Sequence, residues 1–259
     1  MDLNVGSIEM LVDYTLFGTV SKVDSSIFLL QKYEPPNGYY VCFSGGKDSV
    51  VTLDLVKRAG VKYDVHYNFM TVEPPELLEF IVSNYPEVQF EYPETTMYDL
   101  IIYNHIPPMR TARYCCRALK VPTGKDRIKV TGIRRKESRY RSNRRQVEND
   151  GKLINPIVDW SSAEIWEYIR KYGVKYCSLY DCGRSRIGCI FCPNSSRAQL
   201  EDDLKRYPQF VKYFAAALDK VIEINTRAGK TSKYKTGLEW FYNWIDGQKK
   251  HNDNLPSLF

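Results

Sequence analysis

The stretch that decides the fold is Tyr39-Tyr40-Val41-Cys42-Phe43-Ser44-Gly45-Gly46-Lys47-Asp48-Ser49-Val50-Val51-Thr52-Leu53. Its first five residues are apolar or aromatic and favour a β-strand, and two glycines soon interrupt them. Beyond the glycines, apolar residues recur at the spacing of a helix with one buried face, at Val50, Val51, Leu53 and Val56. This change of period predicts a buried strand, a tight loop and a helix.

The loop between the strand and the helix has the composition of a phosphate site. Gly45 and Gly46 let backbone N–H groups face an anion, because no Cβ stands in the way. The N-terminus of the next helix adds unpaired N–H donors and the positive end of its dipole. Lys47 adds a positive charge, and Ser44 and Ser49 add hydroxyl groups. The spacing differs from that of a mononucleotide P-loop, and an ordinary Gly-Gly turn is the alternative.

The loop sequence Ser-Gly-Gly-Lys-Asp-Ser resembles the signature of the PP-loop ATP pyrophosphatases, enzymes that cleave ATP between its α and β phosphates. The resemblance implies that the loop holds the departing pyrophosphate and that the aspartate helps to place Mg²⁺. It makes Lys47 and Asp48 the candidate catalytic residues. It also implies an ATP site formed by the whole loop, Ser44, Gly45, Gly46, Lys47, Asp48 and Ser49.

Size and composition favour a globular protein of the cytoplasm. The chain has 259 residues, of which 43% are hydrophobic, enough for a sizeable core. It contains no run of about eighteen apolar residues, and its N-terminus lacks the basic start of a signal peptide. Neither a membrane span nor a signal peptide is therefore expected. Seven cysteines, several in close pairs, indicate metal or redox chemistry in a reducing compartment rather than a disulfide scaffold.

Strand-like and helix-like segments alternate downstream of the loop. Strands are predicted over 63–70, 88–92 and 129–133, and helices over 74–85 and 97–104. This alternation predicts an α/β fold with a mostly parallel sheet and crossover helices, in which ligands bind at the carboxyl ends of the strands. Segment 71–76 follows a strand and opens a helix, so it is a second candidate wall of the site. A proline-started helix N-terminus is the alternative.

These patterns predict three regions. Residues 1–37 are expected to form a small helical extension. Residues 38–160 are expected to form a nucleotide-binding α/β domain, which the resemblance identifies as PP-loop, adenine nucleotide alpha hydrolase-like. Residues 161–259 are expected to be helical around a cysteine-rich loop. A capping box from Ser161 to Glu164 opens this last region, and helical patterns follow at 199–207, 210–228 and 237–245.

Two cysteine pairs form a second set of candidate site residues. Cys115 and Cys116 are adjacent in a helix-like segment, and Cys189 and Cys192 form a C-x-x-C, which is half of a metal site. The adjacent pair can complete it, and four thiolates fit either a structural zinc or an iron–sulfur cluster. Neighbouring side chains on a helix point about 100° apart, which suits the separate iron corners of a cluster better than one zinc ion. Alternatively, Cys115 and Cys116 are small buried residues.

The order of the motifs resembles that of the phosphoadenosine phosphosulfate reductase family over about residues 38–215. After the loop come Cys115-Cys116, Gly132-Ile133-Arg134 with Glu137-Ser138, Asn155-Pro156-Ile157-Val158-Asp159-Trp160, Leu179-Tyr180-Asp181-Cys182-Gly183 and Gly188-Cys189-Ile190-Phe191-Cys192-Pro193. In cluster-bearing members, a double cysteine and a later C-x-x-C bind a 4Fe-4S cluster. The resemblance therefore implies the cluster ligands Cys115, Cys116, Cys189 and Cys192.

Two departures from the family pattern favour ATP as the nucleotide. Sulfonucleotide reductases carry a nucleophilic cysteine in a C-terminal Glu-Cys-Gly-x-His segment, whereas no cysteine follows Cys192 here. Reductases of adenosine phosphosulfate often have a degenerate loop, whereas this loop keeps Lys47 and the full ATP-type sequence. The chain thus resembles the branch that contains the DNA phosphorothioation enzymes and other thiolation proteins. In that branch, ATP activation and an iron–sulfur cluster serve sulfur insertion.

A basic run from Arg134 to Arg145 suits a phosphate-bearing substrate, either a nucleic acid or a nucleotide. Seven of its twelve residues are arginine or lysine, and Glu137 is the only acid. Within it, Arg134, Arg135 and Arg141 are candidates for phosphate contacts. Alternatively, the run is a solvated basic loop, or it grips the phosphates of the bound nucleotide itself.

The expected function is therefore that of an ATP pyrophosphatase. It would activate a nucleotide or nucleic acid by adenylation for sulfur transfer, with a sulfur-donor protein as a further partner. One alternative is a sulfonucleotide reductase that releases sulfite and uses Cys177 or Cys182 as its nucleophile. Another is a non-catalytic subunit that binds nucleotides or nucleic acids.

Overall fold

The computed structural model describes residues 11–15, 18–120 and 123–253. Near the N-terminus, β1 (Val12–Thr15) pairs antiparallel with β2 (Gly18–Ser21), and helix α1 (Lys22–Lys32) follows. This hairpin replaces the helical start that the sequence predicts. Gly18 adopts a φ of +120°, which interrupts a helix, and α1 begins only after Ser21, which caps it by accepting the Asp24 N–H at 3.2 Å. Residues 1–10 and 16–17 of the predicted extension lie outside the described residues.

A mostly parallel sheet forms the centre of the molecule, as predicted. Its strands are β3 (Tyr39–Phe43), β4 (Tyr63–Asn68), β5 (Val88–Glu91), β6 (Lys129–Val130), β7 (Val147–Glu148) and β8 (Leu153–Ile154). They lie in the order β5-β4-β3-β6-β8-β7, and only the pairing of β7 with β8 is antiparallel.

Helices connect and flank the strands at the positions that the apolar pattern predicts. Those that follow α1 are α2 (Lys47–Ala59), α3 (Pro75–Asn84), α4 (Met97–Asn104), α5 (Tyr114–Leu119), α6 (Ser162–Tyr172), α7 (Arg197–Arg206), α8 (Pro208–Arg227) and α9 (Gly237–Asp253). Short 3₁₀ turns lie at Arg135–Glu137, Arg139–Arg141 and Ser178–Tyr180. In the described ranges, no helix combines the length and the apolar character that crossing a membrane requires.

The glycine loop lies where the order of the strands reverses. From β3 the chain runs through α2 to β4 and through α3 to β5 on one side, and β6 pairs with the other side of β3. Open α/β sheets bind ligands in the crevice at such a switch point, outside the carboxyl ends of the strands. The ends of β3 and β6 therefore define the expected position of the nucleotide site.

A second hydrophobic core lies under the C-terminal helices. Phe191, from the C-x-x-C loop, is fully buried and packs edge-on against Phe214 and Phe241, with ring centroids 5.6 and 5.1 Å away. Burying an aromatic side chain of this size contributes about 1.5–3 kcal/mol. Phe191 also adopts a φ of +55°, and its N–H donates to the buried Asp203 Oδ2 at 3.0 Å. The helices thus hold the C-x-x-C loop in a defined conformation.

Candidate functional site

The glycine loop packs tightly against helix α3. Gly45 has a φ of +69°, and a Cβ placed there would lie 2.6 Å from Leu77 Cδ1 and 2.9 Å from Ile81 Cδ1. Both the backbone conformation and the available space therefore require glycine at this position. The close approach sets the direction in which the chain leaves β3 and enters α2.

The two serines of the loop hydrogen-bond to the loop itself. Ser49 Oγ donates to the Gly46 carbonyl at 2.8 Å and accepts the Ser44 N–H at 3.3 Å. The two serine hydroxyl oxygens lie 3.2 Å apart. These contacts fix the shape of the loop before any ligand binds, which reduces the ordering cost of binding.

Three charged side chains meet at the start of α2 and form a charged cluster: Lys47, Asp48 and Arg134. Lys47 Nζ donates to Asp48 Oδ2 at 3.1 Å, and Arg134 Nε donates to Asp48 Oδ1 at 2.5 Å. Lys47 and Arg134 are only 6% and 4% exposed, so both positive charges are held in a largely desolvated place. The net charge of the cluster is positive, and it lies at a helix N-terminus. This arrangement favours an anion.

The contact between Arg134 and Asp48 depends on the close packing of Gly132, just beyond β6, against the first turn of α2. A Cβ on Gly132 would lie 2.9 Å from the Asp48 carbonyl oxygen and 3.0 Å from Thr52 Oγ1. Only a residue without a side chain allows this approach. Gly132-Ile133-Arg134 is therefore a structural unit that delivers a guanidinium group to the loop.

Tyr180 also belongs to this site, although its motif alone predicts no role for it. Its hydroxyl oxygen accepts the Lys47 N–H at 2.9 Å, and Lys47 Nζ lies 5.8 Å from the centre of its ring. Burial raises the pKa of Tyr180, so its phenol is neutral and its proton can be donated to a ligand. The Leu-Tyr-Asp-Cys-Gly motif was the available signal, but its contact with Lys47 spans 133 positions of the chain.

The other two candidate arginines do not reach the loop. Arg135 donates to Asp159 and to the Arg144 carbonyl oxygen, the latter at 2.5 Å. Arg141 donates to Glu137, whose carboxylate also accepts the Arg134 N–H at 2.9 Å. Among the three arginines, the structure therefore brings only Arg134 to the charged cluster. Phosphate contacts by any of them remain predictions.

The structure places the four candidate cysteine ligands in one region. Cys115 and Cys116 lie in the first turn of α5, and Cys189 and Cys192 lie in the loop before α7. Cys115 is part of the second core, and Cys116 and Cys189 pack against that core. Burial raises the pKa of the Cys189 thiol, and the charges of Cys192 and, more weakly, Cys116 act in the same direction. The thiols therefore lie close enough to affect one another.

The adjacent cysteines differ in acidity. A hydrogen bond with Cys115 lowers the pKa of the Cys116 thiol to about 6, and Lys120 and Arg113 act in the same direction. The same hydrogen bond, together with burial, raises the pKa of Cys115. Over the described ranges, no three histidine, cysteine, aspartate or glutamate side chains have the arrangement of a metal site. Ligation by the four cysteines therefore remains a prediction.

The remaining cysteines occupy different environments. Cys177 is fully buried, and its Sγ donates to the Glu76 carbonyl oxygen at 3.8 Å. Burial also raises its pKa, so Cys177 is a poor nucleophile. Cys182 is exposed, and Cys42 lies in β3 with a pKa that burial raises. Of the two cysteines named for the reductase alternative, only Cys182 is accessible.

Comparison with known proteins places these features in one family. The family model for the phosphoadenosine phosphosulfate reductase domain matches residues 38–195, more than half of the chain. The chain belongs to this family. The matched range contains every candidate nucleotide-binding, catalytic and metal-ligating residue named above, whereas α8 and α9 lie beyond it.

Several relatives match between about 59% and 65% of the chain. The adenosine 5'-phosphosulfate reductase of Halalkalibacterium halodurans is 30% identical over 59% of this chain and 72% of its own length. The adenosine 5'-phosphosulfate reductase 2 of Bacillus subtilis is 28% identical over 61% of this chain and 76% of its own length. An uncharacterized protein of Methanocaldococcus jannaschii is 29% identical over 65% of this chain, but the match spans only 39% of that protein. A solved phosphoadenylyl-sulfate reductase structure from Candida auris has a TM-score of 0.49 and 19% identity, over 65% of this chain and 89% of that chain.

Segment 71–76 of this family member contacts the C-x-x-C loop. The Val72 carbonyl accepts the Ile190 N–H at 2.8 Å. Glu73 is buried, and its Oε1 accepts the Met70 N–H and, at 3.2 Å, the Tyr67 hydroxyl. Its Oε2 is buried with no hydrogen-bond partner among the described residues, and burial raises the pKa of this carboxyl group. The segment is thus more than the proline-started N-terminus of α3, because it also supports the cysteine region.

Proposed function

We propose that this member of the phosphoadenosine phosphosulfate reductase family cleaves ATP between its α and β phosphates and adenylates a phosphate-bearing substrate, a nucleotide or a nucleic acid. The adenylated oxygen is then replaced by sulfur. The observation that carries the proposal is the charged cluster of Lys47, Asp48 and Arg134 at the N-terminus of α2. Two buried cations and a helix N-terminus suit a pyrophosphate leaving group, and the loop has the full ATP-type sequence.

The proposed reaction has two displacement steps. In the first, an oxygen of the substrate attacks the α phosphorus, a new O–P bond forms, and the bond to the β phosphate breaks so that pyrophosphate leaves with the electron pair. Lys47 and the N–H groups of the loop would offset the negative charge that develops on pyrophosphate. In the second step, a sulfur nucleophile attacks the activated atom and AMP leaves with the electrons of the broken bond. The sulfur comes from a separate donor, which we expect to be a protein.

Mg²⁺ fits this site through Asp48. Both carboxylate oxygens of Asp48 accept a hydrogen bond from a cation, but each keeps a further lone pair for a metal ion. Oxygen ligands and ATP phosphates are the usual partners of Mg²⁺. When bound, the ion would neutralise phosphate charge, while Lys47 and Arg134 hold the carboxylate in place.

The cysteine region fits a 4Fe-4S cluster in the chemistry of its donors. Cys115, Cys116, Cys189 and Cys192 offer four thiols in one region. Of the four, Cys116 alone has a lowered pKa, about 6, and burial raises the pKa of Cys189 and Cys192 although nearby cations act against it. Iron binding would therefore release protons from the other three thiols. When bound, the cluster would handle sulfur or act as a structural clamp. The proposal includes a cytoplasmic location, because thiols stay reduced in that compartment.

The test is an anaerobic assay of the iron-reconstituted protein with Mg-ATP, with and without a single-stranded oligonucleotide, that measures AMP and pyrophosphate. We expect Lys47→Ala to lower AMP release by about 100-fold or more, because it removes a preorganised positive charge from the leaving group. The matched control is Lys57→Ala in the last turn of α2, where Lys57 pairs with Glu87 at 2.5 Å, and its activity should equal that of the wild type. Undiminished AMP release from Lys47→Ala would refute the assignment.

Sulfonucleotide reduction is the second candidate, because two relatives are named adenosine 5'-phosphosulfate reductases. In that reaction a cysteine thiolate attacks the sulfur of the sulfonucleotide, an S–S bond forms, and AMP leaves. An added thiol then reduces the S–S bond and releases sulfite. Cys182 is the accessible candidate, and Cys177 is buried. A parallel assay with adenosine 5'-phosphosulfate and a thiol reductant decides the matter, since sulfite release that disappears in Cys182→Ser would favour this function.

A further inference from the structure

The basic run carries an aromatic side chain that is almost completely exposed. Tyr140 is 99% exposed, and it lies between Arg139 and Arg141 in a 3₁₀ turn. No hydrogen bond or ring contact of its side chain occurs in the part of the chain that the structure describes. An exposed aromatic ring flanked by cations is the combination with which proteins bind single-stranded nucleic acids.

The cations of the run fall into two groups. Four have carboxylate partners: Arg134 with Asp48, Arg135 with Asp159, Arg141 with Glu137, and Arg144 with Glu148. The other three, Lys136, Arg139 and Arg145, are exposed, and within the described ranges they form no ion pair. These three positive charges, together with Tyr140, are therefore free to meet an external polyanion. The ring beside these charges adds a flat surface on which a base can stack.

The backbone under Tyr140 is held in place. The Arg141 N–H donates to the Ser138 carbonyl at 2.9 Å, and Ser142 Oγ donates to the Arg139 carbonyl at 2.8 Å. Arg135 Nε reaches across the run to the Arg144 carbonyl at 2.5 Å. The ring and the free cations thus project from a preorganised segment, which lowers the ordering cost of binding.

Three hydrogen bonds in series join this surface to the glycine loop. Arg141 donates to Glu137, and Glu137 accepts the backbone N–H of Arg134, whose guanidinium holds Asp48. The segment that carries Tyr140 is therefore connected, through Glu137 and Arg134, to the proposed ATP site. The cations of the run thus differ in direction. Arg134 points inward and contacts Asp48 of the loop, whereas Lys136, Arg139 and Arg145 are exposed to solvent.

We propose that Tyr140 is a stacking platform for one base of a single-stranded nucleic acid, whose phosphates contact Lys136, Arg139 and Arg145. The proposal rests on the proposed function, since it names the substrate class of that site. A stacked base needs an unpaired strand, because the bases of a duplex are already stacked on each other. The platform gives affinity without base readout, so little sequence preference is expected.

The experiment measures fluorescence anisotropy of labelled single-stranded DNA and RNA oligonucleotides of mixed sequence, and of the matching DNA duplex, titrated with the full-length protein without ATP. We expect Tyr140→Ala to weaken single-strand binding at least about fivefold, because a stacked base contributes about 1–3 kcal/mol. The matched control is Tyr103→Ala, whose side chain on α4 is 82% exposed and lies outside the basic run. It should bind like the wild type.

A second titration series tests the proposed phosphate contacts of Arg139 and Arg145. Replacing Arg139 and Arg145 by serine should reduce the slope of log K against log salt by about 1.4, since each phosphate contact contributes about 0.7 for single strands. The control removes two exposed lysines elsewhere, Lys212 and Lys230, and should leave the slope unchanged. A change that is equal in both double variants would mean that only net charge matters and would overturn the proposal.

Other outcomes of the titrations also decide whether Tyr140 is a stacking platform. Equal affinity for the duplex and the single strand, or Tyr140→Ala binding like Tyr103→Ala, would overturn the platform. Binding to anionic phospholipid vesicles but not to oligonucleotides would assign the run to a membrane surface instead. Because the titration needs no turnover, a protein that binds the oligonucleotide through Tyr140 but makes no AMP would refute the proposed function alone. AMP formation without oligonucleotide binding would refute the platform alone.

Discussion

Arg134 links the end of β6 to Asp48, next to the glycine loop. Its replacement tests whether this contact stabilises the folded protein. Its side chain is 5% exposed and that of Asp48 is 17% exposed. In Arg134→Met the 2.5 Å hydrogen bond to Asp48 disappears, as does the 3.3 Å hydrogen bond to the Trp160 carbonyl. Methionine has a similar length and fills the same space, so the change mainly removes the charge and the donors.

The loss of stability in Arg134→Met depends on how well the remaining Asp48 charge is still paired. Removing one partner of a buried ion pair costs about 3–5 kcal/mol, because the other charge is left buried. Lys47 still donates to Asp48 at 3.1 Å, so we expect the lower end, about 3 kcal/mol. For a chain of this size, that corresponds to a decrease in Tm of about 6–12 °C. Asp48→Asn alone also breaks the Arg134–Asp48 pair, so the loss of this pair is counted in both single variants. The double variant should therefore be destabilised by at least about 1 kcal/mol less than the sum of the two single effects.

The assay is a thermodynamic cycle on four proteins, the wild type, Arg134→Met, Asp48→Asn and the double variant. Thermal unfolding is followed by circular dichroism under anaerobic conditions and without nucleotide. A coupling below about 0.5 kcal/mol, within the range of independent sites, would refute the reasoning. So would a decrease in Tm of less than about 3 °C for Arg134→Met, since the contact would then contribute no more than an exposed pair.

Three further predictions concern the loop, acid stability and the cysteines. Gly45→Ala should be destabilised in urea by about 1–3 kcal/mol more than Gly60→Ala, because both glycines have positive φ but only at Gly45 would the new Cβ meet another residue, Leu77. Asp64, Glu164 and Asp202 have pKa values below the ordinary ones, because hydrogen bonds from cations outweigh the opposing effect of burial. Their contribution to stability is therefore complete above about pH 5 and is lost as pH falls through the lowered pKa values. Tm should fall between pH 6 and pH 3, and a flat profile would contradict the role of these ion pairs. Cys189→Ser should lose the visible absorbance of the reconstituted protein while Cys177→Ser keeps it, and an unchanged spectrum in Cys189→Ser would remove it from the ligand set.

Features encoded by local pattern could be predicted from the sequence. The change from a strand period to a helix period across residues 39–53 identified β3, the loop and α2, since both elements bury one apolar face. The same reasoning placed α4 at Met97–Asn104, with a capping box at Thr96 that fixes its start. The two-residue strands β7 and β8 are too short to show a period, so neither was predicted, whereas β6 lies within the strand predicted over 129–133.

The site depended on contacts that no local pattern encodes. Arg134 and Asp48 are 86 positions apart, and they meet only because β6 pairs with β3 and Gly132 allows a close approach to α2. Composition alone gave Arg134, Arg135 and Arg141 equal standing. The fold separates them, because Arg135 turns to Asp159 and Arg141 to Glu137.

The segment from Tyr180 to Cys192 connects the two candidate centres of the molecule. At its first end, the Tyr180 hydroxyl accepts the Lys47 N–H at 2.9 Å, and the Ser185 carbonyl accepts Lys47 Nζ at 3.5 Å. At its second end, the Phe191 N–H donates to Asp203 at 3.0 Å. The segment is therefore held both at the nucleotide loop and at the cysteine region.

A buried ion pair stiffens the middle of this segment. Arg184 is 8% exposed and donates to Asp202 at 2.7 Å and to Asp203 at 2.6 Å, so the residue that holds Phe191 also holds Arg184. Charges this buried are stable only when paired, which makes displacement of the segment costly. Because one stiff segment carries both the contacts to Lys47 and the C-x-x-C, the protein itself fixes the distance between the glycine loop and the cysteines.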